Sequence, residues 1–272
     1  MTKCYAVVSG RGGVGKSTVT ACLGAVMAQN GHRTVIVDAD IGLRSQDALL
    51  GLENRVVYDL IDVVSGACPL ELALLECESV PGLQLLPAAQ FSRAKALDAR
   101  HLNKLLLSLR NLTDVILVDC PAGIERGLRN VLGAGVDEFL LLALPDDLSL
   151  RSAERVIQVM EGKNLPRPSL IVNRIDSELI RNGEMMSAQT AAQLLDLPLI
   201  GEIPEDRVIQ RVLLKHALPV QYQCEAQGAF RRIASRLDGK IVPLPAYGSE
   251  KQPLFKRFFS KPLREVMPLD HH

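Results

Sequence analysis

Residues 10–18 read Gly10-Arg11-Gly12-Gly13-Val14-Gly15-Lys16-Ser17-Thr18, or GRGGVGKST. The apolar or small residues 5–8 lead into this stretch, and a helical pattern over residues 16–30 leaves it. Strand, glycine loop and helix together are the context a phosphate-binding P-loop requires. Gly10, Gly12, Gly13 and Gly15 allow the tight curl that aims successive backbone N–H groups, Arg11 and Val14 included, at one anion. The helix opening at Lys16 adds its positive end. In this motif the lysine, Lys16, reaches the β- and γ-phosphates and the hydroxyl of Ser17 sits on Mg²⁺. Thr18 completes the first turn. A plain αβ connection is the competing reading, and the complete Gly10-x4-Gly15-Lys16-Ser17 spacing argues against it.

The bulk composition leaves room for such a site and excludes others. The chain of 272 residues accommodates one large α/β domain or two small ones. With 47% apolar residues and zero net charge, it can build a core but exerts no global pull on nucleic acid or anionic lipid. The first residues read as a strand, not as a signal peptide. No apolar run approaches the roughly 18 residues of a spanning helix. These features predict a cytoplasmic chain, either in solution or peripheral to a membrane. Cys4, Cys22, Cys68, Cys77, Cys120 and Cys224 form no CxxC pair and show no metal spacing. Reduced, partly buried thiols are expected, with no zinc or iron–sulfur site.

Along the chain, strands alternate with helices. Residues 5–9 feed the loop. Val19, Cys22, Leu23, Val26 and Met27 give the following helix a buried face, and Gly31 suits its C-cap. Residues 34–38, TVIVD, end in an acid, and Asp40 follows two residues later. Both carboxylates sit where parallel sheets place ligands. Asp40 is the better candidate to contact an attacking water, although both acids also suit turns. Residues 56–80 read as helical, with Val57, Leu60, Ile61 and Val64 on one face. Residues 83–86 read as a strand, and about 94–112 as a helix with Leu102, Leu105, Leu106 and Leu109 inward. Residues 115–119, VILVD, form a Walker B pattern in which Asp119 holds Mg²⁺ through water. Gly123 just beyond allows a backbone N–H near a γ-phosphate. Further strands are expected at 139–144, 170–173 and 199–203, with helices at 149–162, 187–196, 207–216 and 225–238. Continuous apolar strands separated by helices predict an α/β fold, a doubly wound and mainly parallel sheet.

After Lys240 the composition changes. Residues 241–253 carry Pro243, Pro245, Gly248, Ser249 and Pro253 and read as a linker between a domain at 1–240 and a segment at 254–267. Within that segment Leu254, Phe255, Phe258 and Phe259 share one face of a helix, with Lys256, Arg257 and Lys261 toward the other side. A basic amphipathic helix of this kind suits an anionic membrane surface. A tail helix docked on the domain or on a partner is the other reading.

SGRGGVGKST, VDADIGLRSQD, RVVYDL, VDCPAGIE, VNR, GEIPED and LFKRFF are spread over nearly the full chain. Together they resemble the deviant-Walker ATPases of the MinD/ParA group, most closely its septum-positioning MinD branch. The resemblance implies one doubly wound domain that forms a homodimer around two ATP–Mg²⁺. It places Asp40 in switch I and Gly123 in switch II, and gives Asn173, Arg174 and Pro204 to the adenine base. It also implies a MinC-like inhibitor and a MinE-like or other topological regulator as partners; zero net charge and the lipid-type tail argue against nucleic acid. The family's signature lysine, which reaches the partner subunit's nucleotide, is Arg11 here. Arginine keeps the charge but not the shape. It implies either an arginine-finger role or dimerisation with poor hydrolysis. Ser152 stands where the family often carries an acid after Arg151, at its partner-binding surface. The alternatives are a ParA-type or flagellar-number positioning ATPase and a weakly hydrolysing, nucleotide-gated membrane scaffold.

Overall fold

The computed structural model describes residues 2–90, 97–124, 126–215, 217–245 and 247. In chain order its strands are β1 (Lys3–Val8), β2 (Thr34–Asp38), β3 (Leu75–Glu76), β4 (Leu83–Leu86), β5 (Val115–Asp119), β6 (Glu138–Ala143), β7 (Ser169–Ile175) and β8 (Leu199–Pro204). They form one sheet in the order β3-β4-β2-β5-β1-β6-β7-β8. Every pairing is parallel except that of β3 with β4. The helices are α1 (Lys16–Gln29), α2 (Gln46–Leu50), α3 (Leu60–Ser65), α4 (Leu70–Ala73), α5 (Ala99–Leu109), α6 (Arg126–Leu132), α7 (Asp147–Glu161), α8 (Ser177–Asn182), α9 (Ala188–Leu195), α10 (Arg207–Leu213) and α11 (Glu225–Leu237).

A period of two divides each strand between two cores. Cys4, Ala6 and Val8 join Val35 and Val37 in the core that takes in α5, α7 and α9. Tyr5 and Val7 join Ile36, Leu117 and Leu140 in the core under α1 and α11. Both faces are therefore covered, and the strands need no polar side. This is the doubly wound α/β architecture expected from the alternation of elements. The strand β1 stands where the winding reverses: β2 and β4 lie to one side, β6, β7 and β8 to the other. Parallel strands put all their C-terminal ends on one edge, so the loops after β1, β2 and β5 emerge side by side.

One expected helix is not formed as a unit. Residues 56–80 make two short helices and an edge strand. The Asp59 side chain accepts from the N–H groups of Ile61 and Asp62 in a capping box and starts α3 only there. Gly66, left-handed at φ 76°, ends it, and Pro69 caps α4. Leu60 and Ile61 are buried as expected, but Val57 is 78% exposed. The inward set Leu102, Leu105, Leu106 and Leu109 of α5 is buried as read. The amphipathic segment Leu254 to Lys261 lies outside the described residues. No helix among the described residues is long and apolar enough to cross a membrane.

On β8 a carboxyl is buried. Burial pushes Glu202 up to about 7, against the charges of Arg232 and Arg236 and a hydrogen bond with Gln189. The folded chain thus holds this proton more tightly than the unfolded one, whose value is near 4.5. The stability that protonation supplies is complete below about 4.5 and is lost as pH rises through about 7. Glu202→Gln should therefore unfold at higher urea than the native chain at pH 8, with the difference vanishing toward pH 4.5. Parallel pH profiles for the two proteins would show that this carboxyl does not carry the dependence.

Candidate active site

The loop after β1 is wedged against α7. A Cβ on Gly10 would lie 2.1 Å from the backbone oxygen of Ser152, so only glycine lets the loop pass. Gly15, the N-cap of α1, adopts φ 92°, and a Cβ there would meet the Asn173 amide at 2.6 Å. Gly12 and Gly13 line the open side, where an added Cβ meets nothing. Val14 is buried, while Ser17 and Thr18 are half-buried on the first turn of α1. That turn carries backbone N–H groups without intrahelical partners, the usual seat of an anion.

Beneath the loop, Lys16 Nζ lies 2.5 Å from Asp119 Oδ1 and 3.8 Å from Asp40 Oδ2. Burial works against the ammonium, but the charge and hydrogen bond of Asp119, with Asp40 behind them, outweigh it and raise its pKa. Asp119 is fully buried at the end of β5. It also accepts from Thr20 Oγ1 at 3.3 Å and from Gln46 Nε2 at 2.6 Å. Ser17 receives the Ser45 hydroxyl at 2.9 Å, and its carbonyl receives Gln46 Nε2 at 3.0 Å. Ser17 and the buried Asp119, both reached by the Gln46 amide, offer hard oxygen donors of the type Mg²⁺ takes while keeping several waters. The residues thus fit a magnesium–phosphate group. The fit is chemical: Ser17 from the loop would supply an oxygen directly, and Asp119 from the Walker B strand would act through water.

The two acids at and just after the end of β2 separate into different jobs. Asp38 is fully buried and accepts from the N–H groups of Asp40 at 3.0 Å and Gln46 at 3.1 Å. Burial and then the charge of Asp119 push its carboxyl up to about 7, with those N–H groups and Lys16 opposing. It fastens the loop. Asp40 faces the lysine and is slightly exposed. Burial raises its pKa, Lys16 pulls it back and Asp119 adds to the rise.

The other expected contacts surround this centre. Asn173, at the end of β7, donates to the Val14 carbonyl at 2.8 Å, and Arg174 donates to the Gly13 carbonyl at 3.3 Å. Arg174 also lies 3.8 Å from Glu205. A cavity of about 280 Å³ opens at the ends of β6 and β7, lined by Pro145, Asp146, Arg174, Leu179, Met185 and Glu205, among others. Pro204 ends β8 beside it and is buried. Gly123 takes φ 84° and donates to the Ser9 carbonyl at 3.0 Å. A role at a γ-phosphate requires that bond to be exchanged. Arg11 lies 3.6 Å from Asp146, and its Nε is buried without a hydrogen-bond partner among the described residues.

A glycine loop, its lysine, a strand-end aspartate and a central parallel sheet define a P-loop NTPase. The family model described as ParA, NUBPL iron-transfer P-loop NTPase, matches residues 1–238. A putative septum site-determining protein MinD of Guillardia theta is 40% identical over 264 residues, covering 95% of this chain and 98% of its own. The MinC:MinD cell division protein complex of Aquifex aeolicus superposes with a TM-score of 0.83 at 37% identity, over 91% of this chain and all of that one. The MinD of Pyrococcus horikoshii complexed with Mg-ADP gives 0.77 at 30% identity, over 88% and 96%. The chain belongs to the MinD septum site-determining ATPases of the ParA family.

Thr20, Ser45, Gln46 and Asp146 complete the site and were not singled out in the sequence. Ser45 and Gln46 lie in the quoted VDADIGLRSQD, where a hydroxyl and an amide so close to two acids were the available signal. Thr20 sits one helical turn after Lys16. Breaking a buried ion pair from one side costs about 3–5 kcal/mol, because the remaining charge loses its partner. Lys16→Met should destabilise the nucleotide-free chain by roughly this amount in urea unfolding. An unchanged midpoint would mean that Asp119 does not depend on the amine.

Proposed function

We propose that this chain hydrolyses ATP as a homodimer, binds the inner face of the cell membrane through its C-terminal segment while ATP is bound, and helps place the division septum. The supporting observation is the convergence of Lys16, Ser17, Asp40 and Asp119 under the glycine loop of a MinD fold. Lys16 would exchange Asp119 for the β- and γ-phosphates. Ser17 directly, and Asp119 through water, would hold the Mg²⁺ that neutralises charge on the phosphates. Asp40 would align the attacking water. Little covalent chemistry is asked of the protein, and positioning and charge supply the catalysis. Asn173, Arg174 and Pro204 would border the adenine, next to the cavity at the ends of β6 and β7. The MinC of the Aquifex complex suggests a MinC-like inhibitor as partner here, with a MinE-like or other regulator to complete the cycle.

Arg11 favours a second reading, a nucleotide-gated scaffold that hydrolyses weakly. Its guanidinium is held in its own subunit by Asp146. Reaching a partner's phosphate would mean leaving that contact.

The experiment is co-sedimentation with anionic liposomes in ADP, in ATP and in a non-hydrolysable analogue, scoring bound protein and released phosphate together. The hydrolytic reading expects pelleting in ATP and in the analogue, with release in ATP. Pelleting without phosphate release supports the scaffold. Deletion of residues 254–272 should leave Mg·ATP binding intact and eliminate pelleting; continued pelleting would remove the tail from the membrane contact. Asp40→Ala should keep ATP affinity within a few-fold and slow single-turnover phosphate release by roughly 10²-fold or more, the scale of one positioned catalytic group. An unchanged rate would take Asp40 out of the chemistry.

A further inference from the structure

The chain does not leave α11 freely. Arg236, in the last turn of α11, donates Nε to the Val242 carbonyl at 2.9 Å. One terminal nitrogen reaches the Pro243 carbonyl at 2.6 Å, and the other reaches the Ile200 carbonyl at 2.8 Å. One guanidinium therefore joins the helix, the outgoing segment and the edge strand. Its target on β8 is specific. Leu199 pairs with Leu170 and Gly201 with Ile171, so Ile200 is the extra residue of a bulge. Arg236 satisfies the carbonyl of that residue.

A second fastening lies further along. Arg232, one helical turn before Arg236, donates to the Tyr247 hydroxyl at 3.2 Å. The Tyr247 ring packs against the larger core. Glu202, buried on β8, adds a carboxyl whose field acts on both arginines. The segment stays outside the core on either side of the first fastening, since Ile241 before it is wholly exposed and Leu244 after it is 37% exposed. Polar contacts and one tyrosine hold it, so it can be released without opening the domain.

We infer that residues 240–245, with Tyr247 beyond them, form a strap across the β8 edge, and that Arg236 and Arg232 are positioning residues that set where the C-terminal tail leaves the domain. The consequence for membrane binding rests on the reading above. In sequence, six residues, 248–253, separate Tyr247 from Leu254. Six residues reach at most about 20 Å. With the strap released, the tether begins at Lys240 and runs to fourteen residues. Effective concentration falls as about the −3/2 power of tether length, so two tails of one dimer would lose roughly threefold to fourfold in mutual effective concentration.

The chain contains no tryptophan, so Leu244→Trp in the full-length protein gives a single reporter on the strap, whose contacts with Arg236 are to backbone carbonyls. With the strap docked, the reporter should show high anisotropy and slow acrylamide quenching. Adding Arg236→Ala should lower the anisotropy and speed quenching severalfold, and Arg232→Ala should do so in part. Circular dichroism melts establish that each variant is folded, and Arg232→Ala, which leaves the Ile200 carbonyl satisfied, decides the matter if Arg236→Ala is not. A reporter equally mobile in all three proteins overturns the strap. Vesicles of phosphatidylglycerol and phosphatidylcholine then test the consequence in ATP. Release of the strap should weaken pelleting roughly threefold, whereas deletion of the tail abolishes it. Strap release with unchanged vesicle affinity overturns the positioning role. If the native chain itself does not pellet, the membrane reading fails, and the strap stands or falls on the anisotropy.

Discussion

Lys16 and Asp119 meet 2.5 Å apart at the end of the central strands, in a place almost closed to water. Two buried charges are tolerable only if their remaining valences are filled. Much of the local structure supplies that filling: Thr20 from α1 and Gln46 from the loop after β2 reach Asp119, while Asp40 stands behind the amine. The arrangement places the lysine under the glycine loop with its charge kept. A phosphate entering the loop would compete for an ammonium already aimed along the approach, and the carboxylate it leaves would be freed for a metal's water shell. One contact thus links the stability of the domain to its chemistry.

The same constraint explains why three distant stretches must be adjacent. Asp38, Asp119 and the loop glycines end parallel strands that are neighbours only because β5 is inserted between β1 and β2. The chain reaches β5 after β2, β3 and β4, so local sequence does not announce this pairing. It follows from the winding rule for parallel strands, whose crossovers keep helices on both faces.

Much of this was legible in the sequence. The glycine loop, the apolar strands ending in Asp38 and Asp119, and the inward leucines of α5 follow from spacing alone. Residues 56–80 misled because their apolar residues recur at nearly helical intervals, yet a capping box at Asp59, a left-handed Gly66 and Pro69 cut the run. Caps act on one peptide group, whereas periodicity averages over many, so the average hid the breaks. Ser45 and Gln46 were missed for another reason. Their role depends on reaching across to α1 and β5, a separation that no local pattern encodes.

Contacts between the loop and α7 extend the site beyond the phosphates. Gly10 touches the backbone at Ser152, Arg11 faces Asp146, and Asp146 caps α7 by accepting from Ser149. A movement of the loop therefore cannot leave α7 undisturbed, because a backbone in van der Waals contact has no slack to absorb it. Arg11 adds an ion pair to that link, one guanidinium nitrogen lying 3.6 Å from Asp146. Arg11 thus joins the loop to the start of α7 in the same subunit. A displacement at the start of α7 would be felt at the loop for the same reason.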